Sequence, residues 1–245
     1  ALKRSIMIIE VENLKKTFRH NFTKTEILKG IDLEIERGEV FGFIGPNGAG
    51  KTTTVKVLLG LTSPTSGKVK VLGQEPNNTE VKRKIGYSPE NPYFYEYLTG
   101  QELLEFAGEI FQIPEKELPG RIEELLQKVE LTEHRHKSLR KYSKGMLQRI
   151  GLAQALIHKP ELVFLDEPTS GLDPLGRQKI KEIILELKKE GVTVFFCSHI
   201  LADVEALCDR ISIIHQGKIL KTGKVSELTQ TDQNLESIFV KTIKG

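Results

Sequence analysis

VFGFIGPNGAGKT, Val40 to Thr52, decides how this 245-residue chain is read. Its front half is a strand-sized apolar run ending at Gly45. GPNGAGKT then fits G-x-x-x-x-G-K-[ST] at every fixed position, and Lys51 to Leu59 has a helical texture that stops at Gly60. Glycines let the backbone wrap so that successive N–H groups point inward as an anion nest, and the helix adds the positive end of its dipole. Gly45, Pro46, Asn47, Gly48, Ala49, Gly50, Lys51, Thr52 and Thr53 are therefore candidate phosphate-binding residues. Lys51 is expected to reach the β and γ phosphates of a nucleoside triphosphate, and the Thr52 hydroxyl to serve as a Mg²⁺ ligand.

A second motif lies far downstream. LVFLDE, Leu162 to Glu167, is an apolar strand that ends in two carboxylates, at the edge where open α/β sheets bind ligands. Asp166 is the candidate to hold Mg²⁺ directly or through water. Glu167 is the candidate to orient and polarise an attacking water. An acidic pair at a strand end is weak alone and strong behind a phosphate loop.

Around these motifs the pattern is α/β. Residues 7–13 alternate as a strand, 18–26 (FRHNFTKTE) read as polar and turn-like, and ILKGIDLEIERGE reads as a half-buried strand turning at Gly38. SPTSG (63–67) is a turn and KVKVLG (68–73) a strand. Helix-period stretches fill 98–158. Strand and helix then alternate through LVFLDE, LGRQKIKEIILELKKEG, VTVFFCSH, ILADVEALCD and RISIIHQ. Such alternation argues a parallel sheet covered on both faces, here interrupted by a helical insertion. ALKRSI reads either as a cloning remnant before a start at Met7 or as a processed or extended N-terminus, so residues 1–6 are set aside.

Composition excludes several classes. Hydrophobic residues make up 38% and charged residues 28%, too apolar for a disordered chain. No apolar run approaches the roughly 18 residues of a membrane span, and no secretory signal is evident. Lys plus Arg number 36 against 33 Asp plus Glu, a balance that makes no electrostatic case for nucleic acid. Cys197 and Cys208 cannot build a disulfide framework or a four-ligand zinc site. A soluble, reduced, cytosolic protein is expected, with a membrane partner left open.

Three further segments narrow the class: YSKGMLQR at 142–149, SGLD at 170–173 and FFCSH at 195–199. With the phosphate loop, a strand-loop near 85–90 and Asp166-Glu167, they make six motifs in an order that resembles the ABC ATPase family from about residue 7 to 225. Ser143 can cap the helix behind it, whose apolar residues recur at 146, 150, 153 and 157.

The resemblance implies a P-loop NTPase with a RecA-like parallel-sheet core, an N-terminal antiparallel β subdomain and an inserted helical subdomain. It implies one ATPase domain at 7–225, with the helical part at about 91–158. Past about residue 225 it thins, and the tail at 226–245 is read from its own sequence as a short helix with Leu235, Ile238 and Phe239 on one side. The resemblance implies two copies, or this chain and a paired homologue, closing head to tail over two ATP molecules. Ser143, Lys144, Gly145 and Met146 act on the partner's ATP, with the γ-phosphate contacts placed at Ser143 and Gly145. Ser170, Gly171, Leu172 and Asp173 communicate between copies. His199 links the γ-phosphate to Glu167, and Phe18 stacks on adenine, with Phe22 competing. The signature departs from LSGGQ at Tyr142, Lys144 and Met146; Lys144 either adds charge near phosphate or points to solvent.

In IGYSPENPYFYEYLTG, 85–100, Glu90 stands where most of the family has Gln. A carboxylate there can ligate Mg²⁺ and touch the catalytic water. YxPE with its aromatic sequel resembles ATPases of an exporter branch that includes daunorubicin-type drug and sodium efflux. Tyr93, Phe94 and Tyr95 are expected to line the surface that receives an integral membrane permease subunit. That implies a peripheral protein on the cytoplasmic face of the membrane. The competing reading is a non-transport ABC ATPase in repair, chromosome or ribosome work. Repair types need a long coiled-coil insertion, whereas the one here is short; ribosomal types usually carry two ATPase units, and one is expected in these 245 residues.

Overall fold

The computed structural model describes residues 6–20, 23–229 and 234–244. The chain begins with strands β1 (Met7–His20) and β2 (Thr23–Glu36), then β3 (Val40–Ile44), helix α1 (Lys51–Leu58), β4 (Ser66–Val71), the short α2 (Thr79–Lys82) and β5 (Ile85–Ser88). Three helices come next: α3 (Gly100–Ile110), α4 (Leu118–Lys128) and α5 (Lys144–Leu156). Alternation resumes with β6 (Leu162–Asp166), α6 (Pro174–Lys189), β7 (Thr193–Ser198), α7 (Leu201–Leu207) and β8 (Arg210–His215). β9 (Lys218–Lys224), α8 (Val225–Leu228) and α9 (Leu235–Lys244) complete it.

Two sheets result. An antiparallel one has the order β2-β1-β4, and a six-stranded one the order β5-β6-β7-β3-β8-β9. The first five strands of the larger sheet are parallel. Its central strands β3, β6 and β7 are short apolar runs buried at every position, as a sheet covered on both faces requires. Alternation divides their side chains. Phe41, Phe43, Phe164 and Phe195 face the small sheet and α1, with ring centroids 5.3–6.1 Å apart. Val40, Ile44, Val163, Leu165 and Phe196 face the other helices.

One element differs from expectation, and another was not anticipated. The polar stretch 18–26 is strand on both sides: Phe18 pairs with Thr25 and Arg19 with Lys24. Outside residues 21–22, which are not among the described ones, its polarity reports exposure, because ladder hydrogen bonds hold an antiparallel pair whichever way its side chains face. β9, which carries no apolar strand pattern, joins β8 antiparallel at the sheet edge, where Lys218, Lys221 and Lys224 keep that edge charged.

The helix starts are set by the motif residues themselves. Thr99 and Glu102 form a reciprocal capping box on α3. Ser143 Oγ accepts from Met146 N at 3.2 Å to cap α5, and Asp173 Oδ1 accepts from Gly176 N at 2.7 Å to cap α6. Leu235 and Ile238 of α9 are buried, with Phe239 packed against the same core as Leu235. Among the described residues, no helix is long and apolar enough to cross a membrane.

Candidate active site

Parallel pairing brings the C-terminal ends of β3, β5, β6 and β7 to one sheet edge. Ile44 lies beside Ser198, Asp166 beside Cys197, and Ser88 beside Leu165. The segments leaving these four strands therefore converge: the 45–50 loop, Glu90, Glu167 and His199. Together with Pro46, Asn47, Gly48, Gly50, Lys51, Thr52, Thr53, Asp166 and Ile27 they line a cleft of ≈ 380 Å³. Gly45 and Ala49 serve the loop from behind. Ala49 is buried, and its carbonyl accepts from Gly217 N at 3.0 Å. At Gly50, φ is 114° and a Cβ would come within 2.7 Å of Leu28 Cδ2, so glycine alone fits where the loop becomes α1.

Lys51 is 7% exposed. Its ammonium donates to the carbonyls of Gly45 at 2.7 Å and Pro46 at 3.4 Å, and lies 3.9 Å from Glu167 Oε1. The Thr52 hydroxyl donates to Asp166 Oδ2 at 3.4 Å. Glu167 holds a left-handed backbone, φ 51°, of the kind that collects at functional sites. Its Oε2 accepts from His199 N at 3.1 Å and faces His199 Nδ1 at 2.7 Å.

Burial, and then the nearby carboxylates Glu167 and Glu90, raise the Asp166 carboxyl above its ordinary value; Lys51 and Thr52 only partly offset this. Burial and Asp166 push the Tyr87 phenol up to about 12. Burial keeps the Cys197 thiol protonated. This edge thus gathers negative charge on hard oxygen donors. Thr52, Asp166 and Glu90 suit Mg²⁺, which takes one or two carboxylates and completes its shell from phosphate and water. Among the described residues, no three His, Cys, Asp or Glu side chains form a closed cation cage.

Ser143, Lys144, Gly145, Gly171, Leu172 and Asp173 line a second cleft of ≈ 420 Å³, which shares no lining residue with the first. The Lys144 side chain lies across Gly171, where its ammonium fills the space a Cβ would take. Tyr142 is buried and donates to the His134 carbonyl at 2.9 Å. Met146 is buried in the core. Ser170 N donates to the Glu167 carbonyl at 3.1 Å, tying the 170–173 loop to the first cleft.

Phe18 is exposed on β1, with Lys16 Nζ 4.8 Å from its ring centroid; it is not part of the cleft lining, which Ile27 joins from β2. Phe22 lies outside the described residues. Tyr93 is 98% exposed, and Tyr95 sits 5.8 Å from Tyr97 and 6.4 Å from Phe106, ring to ring. Phe94 turns inward onto the core beside Gly151. Gln148 belongs to no motif position that sequence reasoning assigned a role, yet its amide is buried and donates to the Glu90 carbonyl.

Comparison with known proteins agrees with this geometry. Residues 28–170 match the family model described as ABC transporter. An uncharacterized ABC transporter ATP-binding protein of Nostoc sp. (strain PCC 7120) is 51% identical over 231 residues, covering 92% of this chain and 69% of the relative. The bacitracin transport ATP-binding protein BcrA of Bacillus licheniformis is 44% identical over 83% of this chain and 70% of its own length. A solved ATP-binding cassette, described as a dimer in a post-hydrolysis state with ADP and Pi, superposes with a TM-score of 0.82 at 27% identity, covering 89% of this chain and 98% of that one. With a phosphate loop, an Asp-Glu strand end and a strand-end His on one sheet edge, this chain belongs to the ABC transporter family as one of its ATP-binding, ATP-hydrolysing subunits.

Proposed function

We propose that the chain drives an exporter, working as a head-to-tail pair with a second copy or a paired homologue. The observation that carries the pairing is the separation of the two clefts. The phosphate loop lines one cleft, and Ser143, Gly145 and Asp173 line the other. A single chain does not bring both onto one ATP, whereas two chains placed head to tail bring each signature to the other's phosphate loop. The N-terminus of α5, capped by Ser143, then faces a γ-phosphate with free N–H groups. Lys144 lies beside that end.

In each site the 45–53 loop holds the phosphates. Thr52, Asp166 and Glu90 would hold Mg²⁺, whose chemistry there would be to neutralise phosphate charge. Glu167 orients and polarises the attacking water, and His199 fixes Glu167. Phe18 stacks on adenine from β1. Residues 7–225 form the ATPase unit, with the helical insertion at 91–158.

The exporter reading is supported by relatives named for bacitracin transport and linearmycin resistance. The exposed rings of Tyr93 and Tyr95 are its docking surface for a permease subunit, with Phe94 as their inward anchor, and the ATPase then sits at the cytoplasmic face of the membrane. The test is Glu167→Gln. With ATP and Mg²⁺ this variant is expected to accumulate as a nucleotide-loaded dimer in sedimentation velocity. A variant that stays monomeric at saturating ATP, with the membrane partner present, overturns the sandwich.

A further inference from the structure

We propose that Gln148 is a positioning residue that holds Glu90 in the cation site and ties it to the signature helix. The proposal rests on the nucleotide reading above and adds to it a link between the two clefts. Gln148 is 2% exposed on α5, five residues after Ser143. Its Nε2 donates to the backbone carbonyl of Glu90. Its Oε1 is buried and has no hydrogen-bond partner among the described residues. A buried amide with one bond made and one open is retained at a cost, and what it grips is the segment that leaves β5 for the cation site.

A second contact lies three residues further along the same helix face. At Gly151 a Cβ would come within 3.3 Å of the Phe94 ring and 3.7 Å of Pro92, so the ring is seated closely against the helix backbone there. Residues 90–94 therefore lie along α5, held at 148 by a hydrogen bond and at 151 by packing, one helical turn apart. The helix that begins at Ser143 in the second cleft thus carries on its flank the carboxylate that lines the first. Tyr93 and Tyr95, which alternate with Phe94, project from the same strapped segment. A rotation of α5 on closing against a partner's nucleotide moves Glu90, and a pull on the aromatic face moves both.

Gln148→Met tests this, because Met keeps the length and helix preference of Gln and removes the donor. The readings are calorimetric ATP affinity in EDTA, the same with Mg²⁺, and the melting temperature. The expected result is an unchanged melting temperature and unchanged affinity in EDTA, with the affinity gain conferred by Mg²⁺ reduced about ten-fold, as for other residues that orient metal ligands. In a Glu90→Ala background Gln148→Met should change nothing further, whereas a purely structural role would persist there. If Gln148→Met does not fold, Gln148→Leu, which likewise has no donor, is read the same way. A wild-type Mg²⁺ gain preserved in the variant overturns the role of Gln148 and leaves the nucleotide reading standing. A wild-type chain that binds no ATP overturns both.

Discussion

His199 grips one oxygen of Glu167 twice: its Nδ1 lies 2.7 Å from Oε2, and its backbone N–H donates to the same atom at 3.1 Å. The other oxygen, Oε1, is left toward Lys51 at 3.9 Å. An ionised carboxylate only accepts, so the imidazole carries its proton on Nδ1, and Nε2 is the nitrogen left to point elsewhere. The His199 side chain is 53% exposed although its carboxylate partner is buried. The pair therefore spans the wall of the cleft, with the carboxylate inside and the imidazole at the rim.

Removing the imidazole should cost rate and spare binding. His199→Ala frees Glu167 Oε2 from its side-chain bond, so the carboxylate proposed to orient the water loses its fixed direction. Positioned general-base help is worth about 10²–10⁴ in rate, and kcat should fall by at least the lower part of that range. ATP affinity measured in Mg²⁺-free buffer should stay near the wild-type value. A loss of affinity matching the loss of rate would show that His199 acts in binding and not on Glu167.

Lys51→Ala should act in the opposite way. Its ammonium is buried, held by the Gly45 and Pro46 carbonyls, and aimed along the phosphate loop. Charge-assisted hydrogen bonds contribute about 1.5–3 kcal/mol each, so ATP affinity should fall by about ten-fold or more. Equilibrium titration with ATP in EDTA reads this directly, and unchanged affinity would remove Lys51 from phosphate binding.

These residues were legible in the sequence because local chemistry marks them. The 45–52 loop is legible from its glycines, and Asp166-Glu167 from carboxylates closing an apolar strand. Their convergence came from parallel pairing, which strand-helix alternation already implied. Other features left no local mark. β9 is lysine-rich and largely exposed, and it is a strand because β8 offers it an edge. Phe94 and Tyr93 are adjacent aromatics in one polar loop, yet one turns in and the other out, and the glycine beside the buried ring, Gly151, lies on a helix distant in sequence. Gln148 looked like one more polar residue on a helix, because its partner is a main-chain carbonyl and backbone groups carry no sequence signal.

The exposed rings make a prediction about assembly. Tyr93→Ser with Tyr95→Ser removes one ring that is almost wholly exposed and one that is more than half exposed beside Tyr97 and Phe106, so the fold should tolerate the loss. Aromatics dominate interface anchors, and losing two should sharply weaken retention on a membrane fraction carrying the permease. The isolated chain should hydrolyse ATP at the wild-type rate. Equal retention of the double variant in a flotation assay would place the docking surface elsewhere.

His158 makes a prediction about acid stability. Its ring stacks on Phe111 with centroids 3.7 Å apart and an interplanar angle of 4°, and Nε2 donates to the Ile85 carbonyl at 3.0 Å. Nδ1 is buried without a partner among the described residues. Burial lowers its pKa from 6.5 to about 4; the Ile85 bond opposes this and the Arg121 charge adds to it. The folded chain thus keeps His158 neutral where the unfolded chain protonates it. Protons then favour the unfolded state, so the stability this neutral ring contributes is whole above pH 6.5 and is lost as pH falls toward 4. The gap between 6.5 and about 4 corresponds to about 3 kcal/mol at most. Urea unfolding at a series of pH values should show wild type losing stability across that window, with His158→Gln flatter by about one proton in its slope. Parallel curves for the two proteins would mean that another group governs the acid limb.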